Sequence, residues 1–152
     1  MAPTALTDFD TWGWEWEDGG ISLESPEVVA FNSDRMLISW NQTTWQSGEE
    51  PLHDIVIAAR FAHGSESLAP WQITNSSLGD YYYHASQTWL GNVDRSFMSY
   101  IHNGQVVFMT FNESGSIVTG EATITSGGDA NNPDAVELST GDILLAGPQQ
   151  FD

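Results

Sequence analysis

The chain has no cysteine, no lysine, only three arginines and no long apolar run. Each absence excludes something. Without Cys no thiolate is present to complete a metal site, and no redox compartment is implied. Phosphate recognition needs clustered cations, and Arg35, Arg60 and Arg95 lie scattered among 21 Asp and Glu residues, so no nucleic acid is expected as a partner. A carboxylate mimic of DNA is disfavoured too, because the acids form no long runs. The longest purely aliphatic stretch, Ile55-Val56-Ile57-Ala58-Ala59, falls far short of the roughly 20 residues of a membrane-spanning helix, so no membrane partner is expected. Met1-Ala2-Pro3-Thr4-Ala5-Leu6 has neither a basic start nor an apolar core, so no secretory signal is expected, and export would go by particle, by lysis or by another route.

The missing lysines leave a formal charge of −18 on 152 residues. In dilute buffer that charge repels itself strongly. At molar salt the Debye length falls to roughly 3 Å and the repulsion is largely screened. A surface of Asp, Glu, Ser and Thr in place of Lys suits brine, so the expected setting is a virion or extracellular location in a high-salt, halophilic or marine environment. An ordinary acidic extracellular protein is the alternative.

Apolar residues make up 40% of the chain and aromatic residues 12%, too much for a disordered acidic tail. A chain of this length buries about two-thirds of its unfolded surface and forms one domain without staples. No stretch carries apolar residues at helical spacing, whereas short runs of Val, Ile, Phe, Tyr, Thr and Trp recur between turn clusters. The clearest is Ser96–His102, then Asn103-Gly104, then Gln105–Phe111. Asn-Gly suits a type I′ turn, and that register pairs Ile101 with Val106, Tyr100 with Val107 and Met98 with Met109. Both faces of this hairpin are apolar, which places it between layers or at an interface.

Further strands are expected at 27–31, 35–40, 53–61, 71–74, 81–85, 117–125 and 142–146, with a long loop over 126–134. About ten short strands predict an all-β, single-domain antiparallel β-sandwich or jelly roll with an extended N-terminal arm. The expected boundaries are an aromatic and acidic arm over 1–20, a sandwich over 21–146 and a tail over 147–152. Residues 32–40 echo residues 92–100 with four identities, and 56–61 resemble 106–111. The echo reads either as a duplicated hairpin or as chance similarity between strands.

The N-terminal Trp12-Gly13-Trp14-Glu15-Trp16-Glu17 alternates strictly, so in a strand all three indoles share one face and both carboxylates the other. Three readings fit: a sugar-stacking platform, an arm docked on a neighbouring subunit, or side chains filling the domain's own core. Tyr81-Tyr82-Tyr83 is a second aromatic candidate for ligand stacking or an interface. Asp34-Arg35 and Asp94-Arg95, at strand starts, are expected to act as structural ion pairs. Asp129, Asn131 and Asp134 resemble fragments of a calcium loop, but Pro133 and Thr140 break the pattern, so a solvated turn is the stronger reading. His53, His63, His84 and His102 show no metal-ligand spacing, so no metal and no cofactor is expected. There is no nucleophile elbow, phosphate loop or Ser–His pairing, and His63-Gly64-Ser65 is a loop tripeptide. Asn41, Asn75 and Asn112 open N-x-S/T triplets that chance explains in a Ser- and Thr-rich chain.

The combination predicts a non-enzymatic virion structural protein: a capsid decoration, turret or tail component, whose partners are copies of itself or other virion proteins. The alternative from another class is a carbohydrate-binding or receptor-binding module that uses exposed Trp and Tyr faces, with a glycan as partner. A small jelly-roll hydrolase is a third reading. It requires two carboxylates with opposed pKa values in one cleft.

Overall fold

The structure, a computed structural model, describes residues 20–45, 48–61, 66–77, 82–124 and 133–147. These hold ten strands and no helix: β1 (Gly20–Ala30), β2 (Arg35–Trp45), β3 (Leu52–Phe61), β4 (Glu66–Gln72), β5 (Tyr82–Leu90), β6 (Arg95–His102), β7 (Gln105–Phe111), β8 (Ile117–Thr123), β9 (Asp134–Glu137) and β10 (Ile143–Ala146). They form two four-stranded antiparallel sheets, β1-β2-β3-β4 and β5-β6-β7-β8, and a separate β9–β10 hairpin. Each strand pairs with its sequence neighbour, so among the described residues both sheets are meanders, without the crossovers of a jelly roll. The all-β, two-sheet arrangement is that of a β-sandwich.

Strand alternation builds the layers. Leu37, Ile55, Ile57 and Ala59 of the first sheet meet Met98, Tyr100, Val107, Met109 and Phe111 of the second in one buried core. On the opposite side of the second sheet, Leu90 and Phe97 pack with Ala135 of β9, and Phe108 and Leu145 join them. The hairpin is therefore a third layer over the outer face of the second sheet. On the outer face of the first sheet, Ile38, Trp40, Val56 and Ala58 form a cluster of their own, with Met36 against it.

The β6–β7 hairpin forms in the expected register, with Ile101 opposite Val106, Tyr100 opposite Val107 and Met98 opposite Met109. Asn103 and Gly104 both have positive φ, 51° and 77°, as a type I′ turn requires. Two prolines sit where the ladder tolerates them. Pro26 lies in a register shift of edge strand β1 and Pro70 on edge strand β4. A shift in β5 between Tyr83 and Ser86, with His84 at φ 55°, leaves the Ala85 amide free to donate across the sandwich to the Asn41 side chain at 3.5 Å.

Several expectations need correction. β4 begins five residues before the anticipated Trp71, β5 runs on to Leu90, and β1 opens at Gly20. Asp134, expected at the end of a long loop, instead starts β9. That strand escaped notice because four residues, Asp-Ala-Val-Glu, carry too short an alternation to separate from a turn.

Candidate functional site

Two polar clusters resemble chemistry, and neither was visible as a motif. In the first, Tyr100 and His102 share one face of β6 by i, i+2 spacing, and Glu121 reaches them from β8. The Tyr100 hydroxyl donates to Glu121 Oε2 at 2.6 Å, and His102 Nδ1 lies 2.8 Å from Glu121 Oε1. The Tyr82 ring stacks on the His102 imidazole with centroids 4.2 Å apart. Burial first, then the hydrogen bond and charge of Glu121, push the Tyr100 phenol well above its ordinary range. A phenol so held is a fixed neutral donor rather than a base or nucleophile, so the cluster clamps edge strand β8 to β6.

In the second cluster Asp54, on β3, is buried. Its Oδ1 accepts from the Thr74 hydroxyl and the Ser76 amide, both at 2.8 Å, and its Oδ2 accepts from the Ser76 hydroxyl at 2.7 Å. Thr74 Oγ1 in turn accepts the Ile55 amide at 2.9 Å. A carboxylate with three protein donors is fixed as a structural acceptor. It pins the segment after β4 against β3. The signal that could have found it is the pattern of a lone acid inside an apolar strand followed by Thr and Ser.

The anticipated site residues are distributed differently. Trp12, Trp14 and Trp16 lie outside the described residues, as do Tyr81, Asp129 and Asn131. Tyr83 is described through its backbone, opposite Ile101. Tyr82 is 9% exposed and belongs to the sandwich core, which removes it from any exposed stacking face. Its place is fixed by alternation: opposite His102, it points inward with Tyr100.

Arg35 pairs with Glu113 of the β7–β8 turn at 3.6 Å, joining the two sheets. Asp34 is exposed in the β1–β2 turn, and Arg95 is exposed at the start of β6. Asp94 acts as a turn lock: its Oδ1 accepts the Trp89 indole N–H at 3.0 Å and the Asn32 amide at 3.2 Å, tying the β5–β6 turn to the β1–β2 turn. Asp134 accepts the Ser86 hydroxyl at 3.0 Å and the Ala135 amide at 2.9 Å. Beside it, burial and then the Asp134 charge raise the Glu27 carboxyl above its usual range. Among the described residues no group of three or more His, Asp or Glu is placed to hold a metal ion. Two of the three N-x-S/T asparagines do structural work: Asn41 is buried, and Asn112 Oδ1 accepts from the amides of Ser114 and Ser116.

The surface also carries exposed apolar side chains. In the β9–β10 hairpin Ala135 and Leu145 face the second sheet, so alternation turns Val136 and Leu144 outward, directly opposite each other. They are 50% and 54% exposed, and Leu138 extends the same row. Edge strands add Ile21, Leu23 and Val28 on β1, and Ile117 and Val118 on β8. Comparison with protein-family models, curated proteins and solved structures finds no match to this chain.

Proposed function

We propose that this protein is a non-enzymatic structural subunit that works by protein–protein contact, and more specifically a decoration, turret or tail component of a virus particle from a saline habitat. The observation that carries the reading is the outward Val136–Leu144–Leu138 row on an otherwise strongly acidic chain. Exposed apolar rows on so charged a protein mark contact surfaces, because nothing in solubility favours them. Two further features support the reading. The acids with defined partners, Asp54, Asp94, Glu121 and Asp134, serve as hydrogen-bond acceptors that fasten strands and turns. Closed symmetric assembly also protects sheet edges such as β1 and β8 from open-ended pairing.

Light scattering coupled to size exclusion tests this. At about 2 M salt, where the Debye length is only a few Å, a discrete closed oligomer is expected, and Leu144→Asp is expected to reduce it to monomer without unfolding. A wild-type monomer at every salt concentration overturns the assembly reading. The glycan-binding alternative draws on Trp71, 45% exposed on edge strand β4. Quenching of its fluorescence by a sugar, lost in Trp71→Ala, would favour that alternative.

A further inference from the structure

An edge strand offers unpaired backbone groups to any chain that can match them, and most edges of this fold are blunted. β1 carries a register shift at Pro26, β4 carries Pro70, and β5 and β8 pair with their neighbours through register shifts. On β9 the Ala135 amide is taken by Asp134 Oδ1 at 2.9 Å, and Glu137 accepts the Gly91 amide, which seats that strand against the second sheet. β10 differs. Ile143-Leu144-Leu145-Ala146 has no proline, no charge and no register shift against β9.

The ladder itself fixes which groups β10 leaves unused. The Leu138 amide donates to the Asp142 carbonyl at 2.8 Å, so the hairpin closes on a hydrogen-bonded pair. Antiparallel pairs alternate, which makes Leu144 opposite Val136 hydrogen-bonded again. Ile143 and Leu145, in the pairs between, turn their N–H and C=O groups away from β9. Among the described residues nothing takes up those groups. The strand is also open to solvent, with Ile143 38% and Leu144 54% exposed.

We propose that β10 pairs antiparallel with β10 of a second copy about a two-fold axis at Leu144, joining two hairpins into one sheet, β9-β10-β10-β9. This rests on the assembly reading and names its mode of contact. The occupant is a second copy because the edge is self-complementary. Its free groups lie symmetrically about Leu144, so the two-fold brings the N–H and C=O of Ile143 to the C=O and N–H of Leu145 on the other copy, and the reverse. Leu144 then faces Leu144 as a close pair without hydrogen bonds. Asp142 falls opposite Ala146, so no carboxylate directly opposes another. Asp134 and Glu137 stand one strand back, held by Ser86 and Gly91. The outward Val136 and Leu144 of both copies merge into one apolar face, and a one-residue slip would turn one copy's half of that face away. The contact is short and each copy carries −18, so it forms where salt screens the charge.

The chain has no native Cys, so a single introduced thiol reports on the axis. Facing residues of a pair without hydrogen bonds have Cα atoms about 4.5 Å apart, within the range a disulfide spans. In the full chain at about 2 M salt, where the Debye length is only a few Å, oxidation of Leu144→Cys is expected to convert most chains to a covalent dimer. Val118→Cys, 42% exposed on β8, is expected to stay monomeric on the same non-reducing gel. Equal cross-linking of the two variants overturns the proposal. In the wild-type protein, exchange of the Ile143 and Leu145 amides is expected to slow by about an order of magnitude as the protein concentration is raised through dimer formation. A discrete oligomer by light scattering whose Ile143 and Leu145 amides still exchange fast, with no Leu144→Cys dimer, overturns this mode of contact and leaves the assembly reading standing. A monomer at every salt concentration overturns both.

Discussion

At the scale of single residues, the fold depends on a few positions where geometry leaves no choice. Gly115 is the sharpest. It sits in the β7–β8 turn at φ 81°, and a Cβ there would meet Leu68 Cδ2 at 2.5 Å and Leu37 Cδ1 at 3.4 Å. Both the backbone conformation and the space therefore demand glycine, because the turn is pressed into the first sheet while Asn112 holds its amides. Gly115→Ala is expected to destabilise the protein by about 2 kcal/mol or more, from the strained φ and from overpacking together. Gly120, on β8, has ordinary φ and nothing within 4 Å of an added Cβ. Gly120→Ala is expected to change stability by no more than about 0.5 kcal/mol. Urea melts of both variants at one fixed salt concentration provide the comparison, and equal midpoints would refute the argument. Gly91 is a milder case, with the Trp89 ring 3.2 Å from its missing Cβ. None of these distinctions is readable from the sequence, where the three glycines look alike, because each depends on what a distant strand places beside it.

Between elements, the Tyr100–Glu121 bond is the tie that crosses β7 to hold the edge strand, and it carries a pH signature. In the unfolded chain Tyr100 ionises near pH 10. In the fold, burial and the Glu121 carboxylate keep the phenol protonated well beyond that. Above about pH 10 the unfolded state therefore holds fewer protons than the folded one, and stability must fall as pH rises. The contribution is complete below that pH and is lost above it, at up to about 1.4 kcal/mol per pH unit. Tyr100→Phe is expected to cost about 1–3 kcal/mol at about pH 8, as a lost bond to a charged acceptor, and to lessen the alkaline fall. Urea midpoints at about pH 8 and about pH 11 for both proteins decide it, and parallel losses would count against the tie. Legibility varied at this scale. The β6–β7 hairpin could be read to the residue, because Asn103-Gly104 fixes the turn and the turn fixes the register. The echo between 32–40 and 92–100 was misleading in detail. Both segments do open the second strand of a meander, but the β2–β3 and β6–β7 registers differ by one residue relative to the alignment. Ile38 and Trp40 consequently face outward, while their counterparts Met98 and Tyr100 face the core. A one-residue slip flips every side chain, so likeness of sequence did not carry likeness of direction. The Asp54 and Glu121 clusters stayed hidden for a related reason: their partners come together through strand pairing and packing rather than by spacing along the chain.

For the molecule as a whole, charge is the dominant variable, and its sign can be decided by magnitudes. The Arg35–Glu113 ion pair is partly exposed and spans 3.6 Å. Such a pair is worth about 0–1 kcal/mol and weakens as salt rises. Against it stand 21 acids and three arginines, −18 in all, whose mutual repulsion is released on unfolding. Repulsion extends over roughly 10 Å at 0.1 M salt and roughly 3 Å at 1 M, so the many like-charge terms are removed together when salt is added. The net effect of salt must then be stabilising. The thermal midpoint is expected to rise by several degrees between about 0.1 M and about 2 M NaCl. Each kcal/mol is worth about 2–4 °C for a chain of this size. Screening does not distinguish monovalent salts, so KCl is expected to match NaCl, whereas sulfate adds a further rise through exclusion from the surface. Replacing exposed acids such as Glu24, Glu49 and Glu50 by Gln together is expected to raise the low-salt midpoint and flatten the salt dependence. A midpoint indifferent to NaCl would show that the acids are too well spaced to repel, and with it the case for a saline habitat would fall. The proposed assembly surface on the β9–β10 hairpin would stand even so, because Val136 and Leu144 owe their outward direction to pairing and not to charge.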